Sequence, residues 1–474
     1  MLKNILNQNY NNKKLILAIL FFVSILAIAF FCFFPNIFSL ILIIIIILLF
    51  FAIKPEIGLY FMVFFLPVIH INFNYNNLVI PFIDLLSLII GISFLVRIIY
   101  FNLFNNIVEK IIFPYLSVFL LFFGAIVISS LFSDNIISSL WYNLRWILFF
   151  YLIYLVLPYN IIKSEKILKN SIIIFVISGL IIACVGLASL YSQDWQNEFV
   201  RVRPLGWYNI YPFGQNQNLL AEIWIATIFF VLALKYWFNS IVFKKLAGIM
   251  VVLLSLILLG TFSRAAWIIL LLQLFIYFLY KKKLIIKKII VPIILILIIL
   301  FPLVVYMNKI QDQNKSSTEN RWLLTQISLQ AFKNKPIFGY GGGEFINLVA
   351  DNLRFRAKYG DPLDSHGVWQ KILAENGIVG VIAFAMFSFC IFKDFFICVK
   401  KHQEKINLLL PLIIGCLGVF LFEFFNTSYY KGKLWLVIAL VVATVKLVNE
   451  GSIAEYGIRR QTYENKIYAR KSEN

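Results

Sequence analysis

The feature that most limits what this chain can fold into is a series of apolar blocks, each about 20 residues long. A helix of roughly 20 residues crosses a hydrocarbon core about 30 Å thick. Hydrophobic residues make up 62% of the 474 residues, well above the roughly 45–50% of soluble domains. Because a backbone in lipid must satisfy its own hydrogen bonds, the blocks should be helices. The sequence therefore predicts an all-α, polytopic integral membrane protein with about 12–14 transmembrane helices.

Hydropathy places fourteen candidate spans along the chain. They lie at 15–34, 37–53, 56–71, 81–101, 111–132, 140–159, 169–191, 219–238, 242–260, 264–280, 286–306, 367–392, 406–425 and 433–448. The first block runs into the second without a small-residue cleavage site, so we interpret it as a retained anchor and not a signal peptide.

The charge distribution predicts how these spans are oriented. The net charge is +20, which alone would also suit a nucleic-acid partner, but most Lys and Arg lie in short clusters between apolar blocks. With the amino terminus inside, those clusters fall on cytoplasmic connections, as the positive-inside rule requires. Lys431 and Lys433 are the exception, on a connection expected outside. We therefore expect the protein to lie in a lipid bilayer and to bind no nucleic acid.

This orientation divides the chain into five predicted regions. They are a cytoplasmic N-terminus (1–14), transmembrane helices 1–11 (15–306, with an outer loop at 192–218), a long outer loop (307–366), helices 12–14 (367–448) and a cytoplasmic tail (449–474). The other outer turns are only a few residues long. Long structured loops in a tightly connected protein usually carry function.

The loop at 307–366 should contain structure of its own. Ser316 to Glu319 fits a capping box, which predicts a helix beginning there. The following segment, Asn320 to Lys333, has one apolar face and should lie against the membrane surface. Its expected apolar residues are Trp322, Leu323, Ile327, Ala331 and Phe332. The glycines from Gly339 to Gly343 lack the Lys-Ser/Thr of a phosphate-binding loop, and we interpret them as a flexible turn.

Several arginines have no topological reason to be where they are. Arg145 lies in the sixth span, Arg203 in the first long loop, Arg264 at the outer mouth of the tenth span and Arg321 at the start of the surface helix. An Arg in hydrocarbon normally faces a cavity or a partner, although Arg145 or Arg264 alone is also compatible with an interface anchor. Together these guanidinium groups could clamp a diphosphate, since their forks match phosphate oxygens.

His366 is the histidine at the most reactive position, because it precedes the apolar run of the twelfth span. A neutral imidazole can accept a proton from a hydroxyl, although a lone His is more often structural. Gln370 and Glu375 follow on the same helix and are candidates to support it. Glu222, at the outer end of the eighth span, has either a structural role or a functional one, pairing with an arginine or supporting an acceptor.

Four ordered stretches resemble the O-antigen ligase and O-antigen polymerase superfamily of bacterial envelope proteins. They are Arg203 to Gly206 leading to Gln217–Ala221; Ser263–Trp267; Asn320–Trp322 through Pro336–Gly343; and Ser365–Gln370 through Glu375–Gly380. The likeness extends from about Arg145 to Phe384. Gly367 departs from the family, which often has Asn after the histidine, so that supporting hydrogen bond is absent or is supplied by Gln370.

The resemblance implies a glycosyltransferase of the bacterial inner membrane, with its active site facing the periplasm. The donor would be an undecaprenyl-diphosphate-linked oligosaccharide, and no metal or other cofactor is expected. His366 would be the base on an acceptor hydroxyl, while Arg203, Arg264, Arg145 and Arg321 would hold or orient the diphosphate donor. The acceptor would be a growing glycan, a lipid A core or a protein hydroxyl, and a flippase or chain-length regulator would be a further partner.

Two other functions compete with this one. A transporter of an anion such as bicarbonate, or of a glycan, would place charges near mid-membrane, often on broken helices within internal repeats. The charges here collect at one face, and no inverted repeat is evident. A scaffold in an envelope complex would not need His366. The sequence does not separate polymerase from ligase.

Overall fold

A computed structural model describes residues 37–75, 78–104, 109–194, 200–208, 210–238, 240–280, 311–426 and 432–453. The predicted spans 15–34 and 286–306 lie outside these residues, as do the predicted N-terminus 1–14 and most of the tail. Within the described part the chain is almost entirely helical, which confirms the all-α prediction.

The helices are numbered in chain order, in two parts separated by residues 281–310. The first part contains α1 (Ile37–Ile53), α2 (Pro55–Phe65), α3 (Phe82–Phe104), α4 (Leu116–Ser130), α5 (Ile136–Ile161), α6 (Glu165–Ala188), α7 (Asn218–Leu234), α8 (Ile241–Leu259) and α9 (Arg264–Tyr280). The second part contains α10 (Gln311–Asn334), α11 (Phe345–Ala350), α12 (Leu353–Tyr359), α13 (Val368–Lys401), α14 (Ile406–Phe422) and α15 (Gly432–Asn449). A hairpin of β1 (Asn72–Tyr75) and β2 (Leu78–Pro81) lies between α2 and α3 and was not predicted.

Seven of the described helices are long and apolar enough to cross a membrane. The predicted spans 37–53 and 56–71 correspond to α1 and α2, which meet at an angle of 109° and pass the same test only as a pair. Pro55 begins α2 directly after Lys54. A proline fits the first turn of a helix but cannot continue the hydrogen bonds of the preceding one, so the chain bends here.

The centre of the molecule is formed by α7, α14 and α15, whose side chains are mostly buried on every side. The Gln273 amide of α9 donates to the carbonyl of Ile414, 2.8 Å away in α14. On the other side, Trp435 of α15 stacks on Phe150 of α5 with ring centroids 4.2 Å apart. The central helices are therefore held by both packing and buried polar contacts.

The long connection before α13 contains three helices, α10 to α12, with a small apolar core of their own. Leu323, Ile327 and Ala331 are buried there, as the periodicity predicted, against Phe345 and Phe355. Trp322, on the face predicted to lie against the membrane, is 61% exposed. The prediction that the helix begins at Ser316–Glu319 was wrong, because this segment lies within α10, which already includes Gln311. Arg321 is therefore inside the helix and not at its start.

Gly377 interrupts α13 with φ 60° and ψ −160°, so the predicted single span is two helical pieces. The segment from Pro336 to Gly341 fills the break. Ile378 donates its amide to the Pro336 carbonyl at 2.9 Å, and Gly341 donates its amide to the Glu375 carbonyl at 2.7 Å. The backbone amides and carbonyls that lose their helical partners at the break therefore form hydrogen bonds with the Pro336–Gly341 segment, as a buried helix end requires.

The glycines from Gly339 to Gly343 form this insert, which corrects their interpretation as a flexible turn. Gly339 has φ +68°, and a Cβ there would lie 2.5 Å from the Glu375 carbonyl oxygen. A Cβ on Gly341 would lie 2.6 Å from the Ser133 Cβ, and one on Gly342 would overlap the Asn143 side chain. The turn is therefore packed tightly between α5 and the break in α13.

Candidate functional site

His366 lies directly before α13, in a segment fixed by hydrogen bonds to its own helix. Its backbone N–H donates to Gln370 Oε1 at 3.2 Å. Two residues earlier, Asp364 Oδ1 accepts the backbone N–H of Ser365 at 2.8 Å. Gly367 has an extended backbone conformation and lies against the Phe424 carbonyl, 2.7 Å from where a Cβ would be. The imidazole is partly buried at the junction of loop and helix.

Gln370 joins the His366 segment to the surface helix α10. Its Nε2 donates to Thr325 Oγ1 at 2.5 Å, and Thr325 in turn donates to the Arg321 carbonyl at 2.9 Å. Ser328 Oγ donates to the Gln370 carbonyl at 2.7 Å. Gln370 thus hydrogen-bonds to the backbone of His366 and not to its imidazole. The Gln370 side chain also fixes the position of α10 through Thr325.

The charge of Arg321 acts on His366, and the charge of Arg264 acts on Arg321, so each pair lies within electrostatic range. Burial lowers the pKa of His366 to about 4, the positive charge of Arg321 adds to this effect, and Asp364 opposes it. Burial also lowers the pKa of Arg321, with a further contribution from Arg264. The imidazole is therefore neutral at pH 7 and within range of Arg321, and the guanidinium groups of Arg321 and Arg264 repel each other. An anion between those groups would relieve that repulsion.

Arg203 lies on an extended segment that runs beside the start of α9. Val202 donates its amide to the Gly260 carbonyl at 2.8 Å, and Arg203 donates its amide to Ser189 Oγ at 3.2 Å. Arg264 opens α9 four residues after Gly260. The segment carrying Arg203 is thus hydrogen-bonded to the loop that leads to Arg264, although the two are far apart in sequence.

Arg145 lies in a separate cavity of about 350 Å³. Its guanidinium donates to the Val79 carbonyl of the hairpin and lies 4.6 Å from the centroid of the Trp146 ring. The cavity also exposes Asp84 and Lys433, and it is lined by none of Arg203, Arg264, Arg321 or His366. The arginine stands in a π-helical stretch, Leu144–Leu148, a distortion common at functional sites.

Glu222 is fully buried and pairs with Lys433, not with an arginine. Lys433 Nζ lies 3.4 Å from Glu222 Oε2 and 3.1 Å from the Leu219 carbonyl. This contact explains the lysine that departed from the positive-inside pattern, because its charge is neutralised within the protein. Its position therefore carries no information about which side of the bilayer it faces.

Sequence reasoning missed Lys371, which is 1% exposed and lies between two carboxylates. Its Nζ is 2.7 Å from Asp364 Oδ1 and 3.4 Å from Glu375 Oε1. Glu375 also accepts the Phe345 amide at 3.2 Å, so it supports the loop and not the imidazole directly. The i,i+4 spacing of Lys371 and Glu375 was the available sequence signal.

Comparison with known families supports the resemblance stated above. Residues 249–385 match the family model described as O-antigen ligase. This range contains Arg264, Arg321 and His366, together with the insert at the break in α13. Arg145, Arg203 and Glu222 lie outside it. No curated protein matches the chain.

Proposed function

We propose that this member of the O-antigen ligase and polymerase superfamily, a membrane glycan ligase or polymerase, takes its glycan from an undecaprenyl-diphosphate carrier. Transfer would occur at the periplasmic face of the inner membrane, to a hydroxyl of the acceptor, without a metal ion. The observation that carries the proposal is the neutral His366 within electrostatic range of Arg321, which is itself within electrostatic range of Arg264. A scaffold would not need this grouping.

The two kinds of side chain divide the chemistry between them. His366 accepts the proton of the acceptor hydroxyl as that oxygen attacks the anomeric carbon of the donor sugar. The bond from the anomeric carbon to the diphosphate oxygen breaks, the configuration inverts, and undecaprenyl diphosphate leaves. Negative charge grows on the leaving diphosphate, where preorganised guanidinium groups such as Arg264 and Arg203 stabilise it most effectively.

The low pKa of His366 fits this role once the donor is bound. In the free protein Arg321 repels a proton from the imidazole. A diphosphate near Arg321 offsets that repulsion, so the imidazole becomes more basic when the donor is in place. Proton transfer is thereby coupled to the presence of the donor.

The proposed outer location rests on charge distribution. Positive clusters fall on the connections assigned to the cytoplasm, and of the two exceptions, Lys431 and Lys433, the second pairs with Glu222. The His366 segment and the long connection then face outward. Broken helices such as α13 also occur in transporters. We favour transfer because His366 lies directly before α13 and Arg264 at the start of α9, and not at the break itself.

The test is transfer from a synthetic undecaprenyl-diphosphate glycan by the purified protein, with His366→Ala and Arg264→Ala variants. Both variants should lose product by at least about 100-fold. His402→Ala and Arg354→Ala are matched controls, since these residues lie outside the site, and they should retain transfer. Full activity in His366→Ala would rule out the proposed base, and anion uptake without transfer would favour a transporter.

A further inference from the structure

The cavity that contains Arg145 has no part in the proposed reaction, and its volume is about 350 Å³. Its walls come from the end of α2, the β1–β2 hairpin, α5 and the first turns of α3 and α15. The volume lies at the lower end of the roughly 300–1,000 Å³ of small-molecule sites. In the predicted orientation, the hairpin and these ends of α2, α3 and α15 lie on the outer side, as the His366 segment does. The cavity therefore suits a small ligand on the side where transfer is proposed.

Contacts through α5 place this cavity near the His366 segment. The Lys371 ammonium lies 2.7 Å from Asp364 Oδ1 and 5.4 Å from the centroid of the Tyr142 ring. Arg145, which lines the cavity, follows Tyr142 by three positions. Residues with this spacing are neighbours on a helix surface. Asp364 stands two residues before His366, so the cavity and the His366 segment contact adjacent parts of α5.

The polar groups of the cavity include a fixed acceptor and a fixed donor. Tyr154 Oη donates to Asp84 Oδ1 at 2.5 Å, which holds the carboxylate at the cavity wall. The Arg145 guanidinium donates to the Val79 carbonyl and is thereby held against the hairpin. A carboxylate accepts several hydrogen bonds at once, and a guanidinium has several N–H donors. Both groups can therefore also bind a ligand in the same space.

The charges of these groups select against a simple ion. An anion in the cavity would be repelled by Asp84, and a cation would be repelled by Arg145. Lys433 also lines the cavity, but Glu222 balances its charge. A neutral ligand with several hydroxyl groups suits both signs of charge, because each hydroxyl can donate to a carboxylate and accept from a guanidinium.

The remaining walls suit the carbon skeleton of such a ligand. Apolar side chains line the cavity as well, among them Leu66, Ile69, Val79 and Ile83. Ligand sites typically combine apolar walls with a few polar groups that fix orientation. A sugar ring has this dual character, since its hydroxyl groups point outward and its C–H groups form apolar faces.

We infer that this cavity binds a sugar unit of the glycan, with Asp84 accepting hydrogen bonds from its hydroxyl groups and Arg145 donating to them. The inference rests on the proposed function for the identity of the ligand as a glycan, but the binding itself does not depend on transfer. It assigns Arg145 to the sugar and leaves the diphosphate to the other arginines. The same recognition serves a sugar of the acceptor or of the donor, and kinetics distinguish the two sources.

The first experiment measures binding of the lipid-free oligosaccharide released from the synthetic donor. Saturation-transfer NMR on the full chain in detergent gives its Kd, and inorganic pyrophosphate serves as an anion probe. Asp84→Asn and Arg145→Gln should each weaken oligosaccharide binding about 10-fold, because each removes a charged hydrogen-bond partner. Asp351→Asn and Arg354→Gln are matched controls at exposed positions of the long outer connection, and they should leave Kd unchanged.

The signs of these effects separate a sugar from an ion. If the cavity binds pyrophosphate, Asp84→Asn should tighten the binding of that probe, because a repulsive charge is removed. Oligosaccharide binding that Asp84→Asn leaves unchanged or strengthens would overturn the inference. An Arg145→Gln variant that weakens the binding of pyrophosphate alone would overturn it as well.

A cavity-filling variant keeps the inference testable if either charge variant fails to fold. Asn72 lines the cavity from an exposed position of β1, so Asn72→Trp should abolish oligosaccharide binding by occupying the space. Phe73→Trp is the matched control, since adjacent residues of a strand point to opposite faces. Equal binding by the two tryptophan variants would contradict a site in this cavity.

Transfer kinetics identify the source of the sugar and keep the two proposals apart. With a tagged oligosaccharide as acceptor, Asp84→Asn should raise KM for the acceptor about 10-fold with little change in kcat, because ground-state binding is lost. A rise in KM for the donor instead would assign the same recognition to a donor sugar. Full transfer by His366→Ala would contradict the proposed function, whatever the cavity binds. An inactive His366→Ala together with unchanged binding in the cavity variants would reject only the sugar site.

Discussion

Lys433 and Glu222 form an ion pair between two central helices, with 3.4 Å between the ammonium and the carboxylate and both side chains buried. The residues are 211 positions apart in the sequence. Their pairing accounts for Lys433, one of the two lysines that conflict with the charge pattern that orients the chain; the other, Lys431, lies outside the described residues. It also makes the junction of α7 and α15 sensitive to the loss of either charge.

Removing one partner of this pair should destabilise the protein strongly. Lys433→Met leaves the Glu222 carboxylate buried without a cation, which costs about 3–5 kcal/mol. Thermal unfolding in detergent should show a large fall in Tm, and Glu222→Leu/Lys433→Met should recover most of it. Lys358→Met, which breaks the exposed pair with Glu319, should leave Tm nearly unchanged, because solvent screens exposed ion pairs. Equal effects from the two lysine variants would contradict this account.

Alanine at Gly377 should disturb the break in α13. The residue has φ +60°, and a Cβ there would overlap the Ile337 carbonyl, so strain of about 1–3 kcal/mol is expected. Glycan transfer should fall as the insert is displaced from Glu375. The matched control is Gly124→Ala in α4, where a Cβ meets nothing within 4 Å. That variant should be neutral or more stable by up to about 1 kcal/mol, as measured by thermal unfolding.

The pH dependence of transfer should reveal the electrostatic setting of His366. Because the pKa is lowered to about 4, the base is unprotonated from neutral pH down to mildly acidic pH. The acid limb of kcat/KM should therefore lie well below 6.5. Arg321→Gln removes one cause of the lowering, so its acid limb should move to higher pH. A limb that stays in place in Arg321→Gln would show that Arg321 does not act on the imidazole.

Replacement of Gln370 should loosen the His366 segment without removing any charge. Gln370→Ala loses the bonds to the His366 amide and to Thr325, and a displaced base costs up to about 100-fold in rate. Single-turnover transfer measures this effect. Gln330→Ala, at an exposed position of α10, should leave the rate unchanged. If both variants transfer at the same rate, Gln370 does not position the base.

Hydropathy was sufficient to predict the helical membrane fold, because the length of each apolar block directly reflects what a bilayer requires. It could not predict the break at Gly377. The groups that satisfy the break are carbonyls of Pro336 and Ile337, and backbone groups leave no trace in a hydropathy profile. The β-hairpin was missed because its strands are only four residues each.

Site residues could be predicted from the sequence where a charged or polar side chain lies beside an apolar span. Arg264, Arg321 and His366 were conspicuous as polar groups beside apolar spans, and in the structure Arg321 lies within electrostatic range of the other two. Arg145 was equally conspicuous but lines a different cavity. Proximity between distant segments depends on packing, which a single sequence does not reveal. Their joint role in binding a diphosphate stays a prediction.

The insert at the break in α13 bears on how the chain assembles. Pro336 to Gly341 are synthesised before Gly377. The loop segment that hydrogen-bonds to the interrupted helix therefore exists before that helix is complete. A membrane helix with bare amides at its middle would be poorly inserted into lipid. The earlier segment thus supplies the hydrogen-bond partners of the break before α13 is complete.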